Sequence, residues 1–220
     1  MLVRLLLTAT LSLTTLVAHA AAAPAAPAQG IAIPPDQVVR DTTEHMRDLI
    51  RQNHDRYTAH QDDFYKVVDQ ELVPHFDVKA ITQSVLGRNS RAASDDQKKR
   101  FADAFKLMLI RSYADTLLHN YDSAKADWQP LRMTPDMTDA TVHATLTRSN
   151  GQPVQLGFAM HKVDDDWKVY DVTVEAISLV TNFRSQVNAE IKRTGLDDLI
   201  ARMEKGESFK PTSQETSGGS

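Results

Sequence analysis

The clearest pattern in this chain is a strand that runs directly into a helix between residues 167 and 186. Tyr170, Val172 and Val174 alternate with polar residues, which is the period of a half-buried strand. The apolar residues that follow recur at helical spacing instead. They are Ile177, Val180, Phe183, Val187 and Ile191. The pattern predicts a corner between an apolar strand row and an apolar helix stripe, which can be solid core or the wall of a cavity.

The first half of the chain is predicted to be helical. Ser94 and Gln97 form a capping box that begins a long helix running to about Tyr121, and the middle of this helix is apolar almost all round. Upstream, Asp77 suits the N-cap of a shorter helix that ends at Gly87. Two amphipathic helices are expected before it. The residues that share one face are Val38, Val39, Thr42, Met46, Leu49 and Ile50 in the first helix, and Phe64, Val67, Val68 and Leu72 in the second.

The second half is predicted to form an antiparallel meander. Residues 142–146 and 154–160 alternate as two strands, joined by a turn at residues 149–151. A shorter strand is expected near residues 131–133, and a helix that ends at Gly195 follows the last strand. The predicted fold class is therefore α+β, with a three- to four-stranded antiparallel sheet packed against a mainly N-terminal helical layer.

Composition at the two ends predicts the domain boundaries. Residues 1–20 combine a positive start, a short apolar core and an A-x-A site, which is typical of a cleaved signal peptide. Residues 21–35 form an Ala/Pro-rich leader and residues 206–220 a polar tail, and both are expected to be disordered. A single domain is predicted over residues 36–205. We therefore expect an exported protein, which is periplasmic if the source is Gram-negative.

Charge and cysteine content exclude several classes of function. The chain has no cysteine, which excludes a lipobox anchor, disulfides and thiolate metal sites. Its formal net charge of −4 gives no basic footprint for nucleic acid or for an anionic membrane surface. Any binding of lipid would have to come from burial of apolar groups.

Candidate catalytic or metal-binding residues are few. The sequence contains no nucleophile elbow, phosphate loop, dinucleotide fingerprint or zinc-protease motif. His143 and His161 lie on neighbouring predicted strands, where they could face each other, but no third metal ligand is placed. Asp171 and Glu175 share the polar face of a strand, which favours a solvated surface over an acid–base pair. We predict no catalytic residue, no metal and no cofactor.

A large set of apolar side chains is predicted to face the space between the sheet and the helices. Periodicity alone leaves both a solid core and a cavity open. The residues are Phe105, Leu109, Tyr113, Leu146, Leu156, Phe158, Met160, Val172, Val174, Ile177, Leu179 and Phe183.

Two stretches of the chain resemble the MlaC (Ttg2, toluene-tolerance) family of periplasmic phospholipid-binding proteins. The more specific stretch is WKVYDVTVEAISLVTNFRSQ, which begins at Trp167. The chain departs from the family pattern at two places, because Asn89-Ser90 stands where an aromatic pair is usual and Ala176 stands where a glycine is usual. The other stretch carries the family's Phe-Asp, Val-Leu-Gly and Gln…Phe…Phe…Leu…Tyr pattern. Its matching residues are Phe76, Asp77, Val85, Leu86, Gly87, Gln97, Phe101, Phe105, Leu109 and Tyr113.

The resemblance implies a carrier that is NTF2-like in outline and holds phospholipid acyl chains in an apolar cavity between sheet and helices. It implies transport between outer- and inner-membrane complexes that maintains lipid asymmetry of the outer membrane. The implied partners are phospholipid as cargo, an inner-membrane ABC transporter complex with its MCE-domain binding protein, and an outer-membrane lipoprotein–porin complex. A monomer without enzymatic activity is expected. On this basis Val85 joins the apolar positions named above as expected lipid-binding residues.

Two other interpretations stay open at this point. An NTF2-like small-molecule binding protein or enzyme would need a polar group inside the cavity, for which Tyr113 or Tyr170 is the candidate. A periplasmic adaptor with a solid core would act through its surface. Co-purifying lipid would separate a carrier from both.

Overall fold

The helices and strands follow one another as a helical layer, a five-stranded sheet and two closing helices. The computed structural model describes residues 33–122, 125–134, 136–147 and 151–208. The helices are α1 (Pro35–Ala59), α2 (Gln61–Val67), α3 (Val78–Leu86), α4 (Asp95–Asn120), α5 (Leu179–Thr194) and α6 (Leu196–Glu204). The strands are β1 (Lys125–Trp128), β2 (Asp139–Thr147), β3 (Pro153–Val163), β4 (Asp166–Val174) and β5 (Ile177–Ser178). The predicted α+β class is confirmed, while the predicted signal peptide and most of the leader and tail lie outside the described residues.

Local capping residues determine the ends of α3 and α4, as predicted. The Asp77 carboxylate accepts a hydrogen bond of 2.8 Å from the backbone N–H of Ala80, and Gly87, with a φ of +55°, ends α3. Ser94 and Gln97 form the reciprocal capping box at the start of α4. These bonds pair backbone groups that the helix itself leaves without partners.

The second predicted helix is interrupted by a π-helical turn. The regular helix α2 gives way to this turn at Val68–Leu72, and a 3₁₀ turn follows at Val73–His75. The apolar residues Phe64, Val68 and Leu72 are four positions apart, so their spacing does not distinguish a regular helix from a widened one. Turns of this kind occur frequently at functional sites.

The sheet is an antiparallel meander in the order β1-β2-β3-β4-β5. It has five strands where three or four were predicted, because the two-residue β5 pairs with the end of β4. The first strand, β1, lies upstream of the strand predicted at residues 131–133. The prediction of a strand at residues 131–133 is wrong. Leu131 lies in an irregular segment and packs against the core of the sheet, so its apolar character reflects burial and not a strand.

A β-bulge between Ala159 and Met160 changes which side chains of β4 face the core. Met160 pairs with Val169 but Ala159 pairs with Asp171, so Tyr170 is an extra residue in β4. The Tyr170 ring packs against a histidine ring of β3, on the polar face. The prediction that Tyr170 belongs to the apolar row of β4 is therefore wrong. A pattern of alternating residues does not reveal the extra residue of a bulge.

The helix after the sheet begins later than predicted. Ile177 lies in β5 and is 52% exposed, so its assignment to the helical stripe is wrong. Ser178 caps α5, since its hydroxyl accepts a hydrogen bond from the backbone N–H of Thr181. Further along the stripe, Phe183 and Val187 are buried as predicted.

In the described ranges, buried apolar side chains form three clusters. Helix α4 contributes to two of these clusters, which explains why its middle is apolar almost all round. The α3–α6 cluster consists of Val85, Leu86, Phe101, Ala104, Phe105, Met108, Phe183, Val187, Leu199, Ile200 and Met203. The α1–α4 cluster consists of Met46, Ile50, Tyr57, Phe64, Val68, Ile110, Ala114 and Leu118. The sheet cluster consists of Val39, Val142, Met160, Trp167 and Val169.

In the part of the chain that the structure describes, no helix is long and apolar enough to span a bilayer.

Candidate functional site

An apolar cavity of about 340 Å³ lies among the helices. Its walls come from α3, from the π-helical turn and from the middle of α4. The volume falls in the lower part of the range of ligand sites, about 300–1,000 Å³. The lining residues are Val68, Leu72, Val73, Phe76, Val78, Ile81, Thr82, Ala102, Phe105, Lys106, Leu109, Ile110, Tyr113, Ala114 and Leu117.

The cavity lies where the three clusters meet. Phe105 belongs to the α3–α6 cluster, Ile110 and Ala114 belong to the α1–α4 cluster, and Phe76 packs against the sheet cluster. The empty space is therefore a gap between clusters and not a hole inside one of them. Side chains around such a gap lack contacts on one side, so an apolar ligand of matching shape would gain dispersion energy there.

The charged and exposed groups of the lining lie on α4. The Lys106 ammonium forms a salt bridge of 2.8 Å with the Asp69 carboxylate of the π-helical turn, so this pair links two walls of the cavity. Tyr113 is 38% exposed. Its phenol is uncharged near neutral pH, as at its ordinary pKa of 10, and desolvation raises that pKa further. These residues place a polar edge beside the cavity.

Thr82 is a buried polar residue in the lining. Its side chain belongs to α3, the residue is 4% exposed, and its hydroxyl oxygen has no hydrogen-bond partner among the described residues. A threonine inside a helix commonly bonds to a carbonyl three or four residues earlier, and Thr82 does not. The apolar wall thus contains an unsatisfied hydroxyl.

A bridge of side chains joins the α3 wall to the sheet. One oxygen of Asp77 caps α3, and the other lies 2.9 Å from Nε2 of His161 in β3. The backbone N–H of Asp77 also donates to the carbonyl of Val169, at 2.9 Å. A single aspartate therefore positions both the start of the α3 wall and its place on the sheet.

The strand register separates the two histidines proposed as a metal pair. His143 pairs with Gly157, and His161 pairs with Asp139. The two pairing positions on β3 are four residues apart, which is about 13 Å along a strand. The prediction that these histidines face each other is wrong. Within the described ranges, no group of three or more histidine, aspartate or glutamate residues could hold a metal ion.

The two carboxylates of the last strand have separate structural contacts. Asp171 accepts hydrogen bonds from the Ser178 hydroxyl and from the backbone N–H of Val180, so it helps to begin α5. Glu175 accepts a hydrogen bond from the backbone N–H of Gln155. Neither carboxylate faces the cavity lining.

The helical members of the expected lipid-binding set are close together. Phe105, Leu109 and Tyr113 line the cavity. Phe183 and Val85 lie in the α3–α6 cluster, where the Phe183 ring meets the Phe105 ring edge-on at 5.2 Å between centroids. Leu179 packs against the same cluster.

The strand members of the expected set lie on one face of the sheet and do not line the cavity. Burial along this face varies from Met160, which is fully buried, to Ile177, which is 52% exposed. Their contact with a ligand stays a prediction. These residues are Leu146, Leu156, Phe158, Met160, Val172, Val174 and Ile177.

Several lining residues were not singled out by the sequence analysis as ligand contacts. Val68, Leu72 and Ile81 had the pattern of ordinary core faces, and periodicity does not separate a core position from a cavity wall. Phe76 had a usable signal, since it belongs to the Phe-Asp pair of the family pattern. Thr82 had none, because a single threonine within an amphipathic helix is ordinary.

Sequence comparisons identify relatives of the chain. Residues 40–205 match the family described as MlaC protein. The chain is 29% identical over 170 residues to toluene tolerance protein ttg2D of Pseudomonas putida, covering 74% of this chain and 75% of that protein. It is 24% identical over 145 residues to the intermembrane phospholipid transport system binding protein MlaC of Haemophilus influenzae, covering 64% of this chain and 67% of that protein.

A solved structure shares the fold. It is the phospholipid-binding protein from Ralstonia solanacearum in complex with a phospholipid. The TM-score is 0.68 at 30% sequence identity, over 76% of this chain and 93% of that chain.

Proposed function

The chain belongs to the MlaC family, and from this premise we propose that it binds phospholipid by its acyl chains and carries it between membranes. The observation that carries the proposal is the apolar cavity at the meeting point of the three clusters. The name of the Haemophilus relative and the bound phospholipid of the Ralstonia structure support it. We propose no catalytic step.

The acyl chains enter the helical cavity first. Each methylene group removed from water contributes about 0.8 kcal/mol, so affinity can come from the tails alone. The head group remains near the polar edge formed by Lys106 and Tyr113, where solvent is accessible. A net charge of −4 and an apolar lining favour recognition of tails over capture of a head group by charge.

The strand residues of the expected set extend the tail site past Phe76. The Phe76 side chain lines the cavity and also packs against the sheet cluster. Phe158 and Val172, which lie on the sheet face that carries the expected strand residues, pack against the same cluster. Movement of this one ring would connect the helical cavity to that face. The tails would then lie between helices and sheet, as the family resemblance implies.

The carrier acts in the periplasm after export by the predicted signal peptide. Its proposed partners are an inner-membrane ABC transporter complex with its MCE-domain binding protein and an outer-membrane lipoprotein–porin complex. Affinity for the cargo must be close to that of donor and acceptor, because a carrier that held lipid much more tightly would not release it.

Native mass spectrometry of the protein purified from periplasm without detergent tests the function. We expect a stoichiometric adduct with the mass of a phospholipid, which disappears on denaturation. A protein without lipid that takes up none from phospholipid vesicles would contradict the proposal.

Three variants locate the tails. Ala114→Leu places extra volume in the cavity, Val172→Phe does so on the sheet face, and Ala189→Leu is a matched control on the exposed side of α5. Loss of lipid from Ala114→Leu but not from Ala189→Leu supports the helical cavity as the tail site. Loss from Val172→Phe as well supports its extension across the sheet, and full retention there confines the tails to the helices.

A further inference from the structure

The buried hydroxyl of Thr82 requires an explanation that the fold does not supply. Buried polar groups in proteins are nearly always hydrogen-bonded, and each exception in a native structure points to strain, function or an absent partner. Thr82 is 4% exposed, and its oxygen has no partner among the described residues. Its helix offers the carbonyl one turn earlier, at Val78, and the hydroxyl does not use it.

The place of Thr82 in the cavity suggests what kind of partner would satisfy it. The other nonaromatic polar side chain of the lining, Lys106, is already paired with Asp69. A ligand group that reaches Thr82 therefore enters a wall whose other hydroxyl belongs to Tyr113. The Thr82 oxygen itself is buried and not exposed to the cavity in this conformation, and it has no partner in the part of the chain that the structure describes. Rotation about χ1 between staggered positions can direct that hydroxyl toward the cavity.

From these contacts, and resting on the proposed function, we propose that the Thr82 hydroxyl donates a hydrogen bond to an ester carbonyl of the bound phospholipid. Ester carbonyls are the polar groups of a phospholipid that lie nearest to its tails, and they only accept hydrogen bonds. A lipid drawn in far enough to bury its tails would lose water from these carbonyls, which is unfavourable unless a donor replaces it. Thr82 supplies the donor, so the cavity selects acyl esters over alkyl ethers.

We expect a preference for ester-linked over ether-linked phospholipid that depends on the hydroxyl oxygen of Thr82. The probe is a vesicle containing equal amounts of diacyl and dialkyl-ether phosphatidylethanolamine with chains of equal length. Native mass spectrometry then gives the ratio of the two lipids bound, since the two masses differ. Comparing this ratio between variants cancels the difference in how readily the two lipids leave the vesicle.

Thr82→Val removes the hydroxyl and keeps the shape of the side chain. We expect it to shift the bound ratio toward the ether lipid by roughly three- to ten-fold relative to the unmodified protein, which corresponds to one neutral hydrogen bond. Thr82→Ser keeps the hydroxyl and should retain the ester preference. We expect Thr82→Val to unfold at a temperature no lower than that of the unmodified protein, because it removes an unsatisfied buried group.

Ser112→Ala is the matched control. Ser112 on α4 also carries a buried hydroxyl without a partner, but it does not line the cavity, so its removal should leave the ratio unchanged. An unchanged ratio in Thr82→Val, or an equal loss of both lipids, would overturn the role of Thr82 while leaving lipid binding intact. Uptake of neither lipid by the unmodified protein would instead overturn the proposed function and this inference with it.

Discussion

Ala176 lies in a left-handed backbone conformation that its side chain disfavours. It has a φ of +63°, and the preceding Glu175 has a φ of +51°. The two residues form the turn between Val174 and Ile177, the last paired positions of β4 and β5. Two-residue hairpin turns with positive φ at both positions favour glycine or asparagine, which accounts physically for the glycine usual in the family at this point.

Ala176→Gly should therefore stabilise the protein. Relief of the left-handed strain, about 1–2 kcal/mol, exceeds the entropic disadvantage of glycine, about 0.5–1 kcal/mol, so the free energy of unfolding should rise by about 0.5 kcal/mol. Urea denaturation measures the change. Ala189→Gly, on the exposed side of α5, is the control and should lower the free energy of unfolding by about 1 kcal/mol. Equal losses in both variants would contradict the assignment of strain to Ala176.

Among the helices, α3 depends on one carboxylate that acts in two directions. Asp77→Ala removes both the N-cap and the contact with His161, and should lower the free energy of unfolding by about 2 kcal/mol. Asp77→Asn keeps a good N-cap and should lose about half of that amount. Urea denaturation of both variants, each combined with His161→Ala, measures the coupling. If His161→Ala were fully additive with Asp77→Ala, the bridge would contribute nothing.

The junction of α5 and α6 should be sensitive to acid. Hydrogen bonds from Arg193 and Arg202 hold the pKa of the Glu190 carboxyl below its ordinary value of 4.5. A depressed pKa means that the folded state favours the charged form, so the stabilisation is present above about pH 4.5 and is lost as the pH falls through the lower folded value. Thermal unfolding from pH 6 to pH 3 should show a steeper fall in stability for the unmodified protein than for Glu190→Gln. Parallel curves would remove Glu190 as a cause.

Elements with local signals were predictable, and elements that depend on distant pairing were not. Asp77 and Ser94 predict where helices begin, because the side chain of each accepts a hydrogen bond from a backbone N–H only three residues away. The short β5 and the bulge that displaces Tyr170 exist only through their partners on neighbouring strands, which no local pattern records.

The candidate site was predictable only in part, for a related reason. Phe105, Leu109 and Tyr113 were identified because α4 is apolar on several sides. Which wall faces α4 across the gap depends on the packing of the π-helical turn. The periodicity of apolar residues does not reveal this, because it is the same whether the facing space is packed with side chains or empty. The same limit explains why the strand residues could not be separated from the cavity lining.

For the whole molecule, bound lipid should stabilise the folded state in the way that additional buried apolar side chains would. A ligand that binds only the folded state stabilises it by about 2.7 kcal/mol at a hundred times its dissociation constant. For a domain of this size each kcal/mol raises the melting temperature by about 2–4 °C, so loading should raise it by about 5–11 °C. Calorimetry of lipid-loaded and delipidated protein measures this, with Ala114→Leu as a control that should show little shift. Identical melting temperatures for both forms would mean that the tails do not enter the core.

The gap between the three clusters also means that two groups of residues are under different evolutionary constraints: those packed inside a cluster and those that face the gap. A residue inside a cluster is constrained by close packing with its neighbours, so its replacement affects folding directly. A residue that faces the gap and belongs to no cluster, such as Ala102, would be constrained on that side by the proposed cargo alone. Substitutions there can lengthen or shorten the accepted tail without rebuilding any cluster. Relatives that serve membranes of different acyl composition should therefore differ most at gap positions that belong to no cluster, and agree in the clusters.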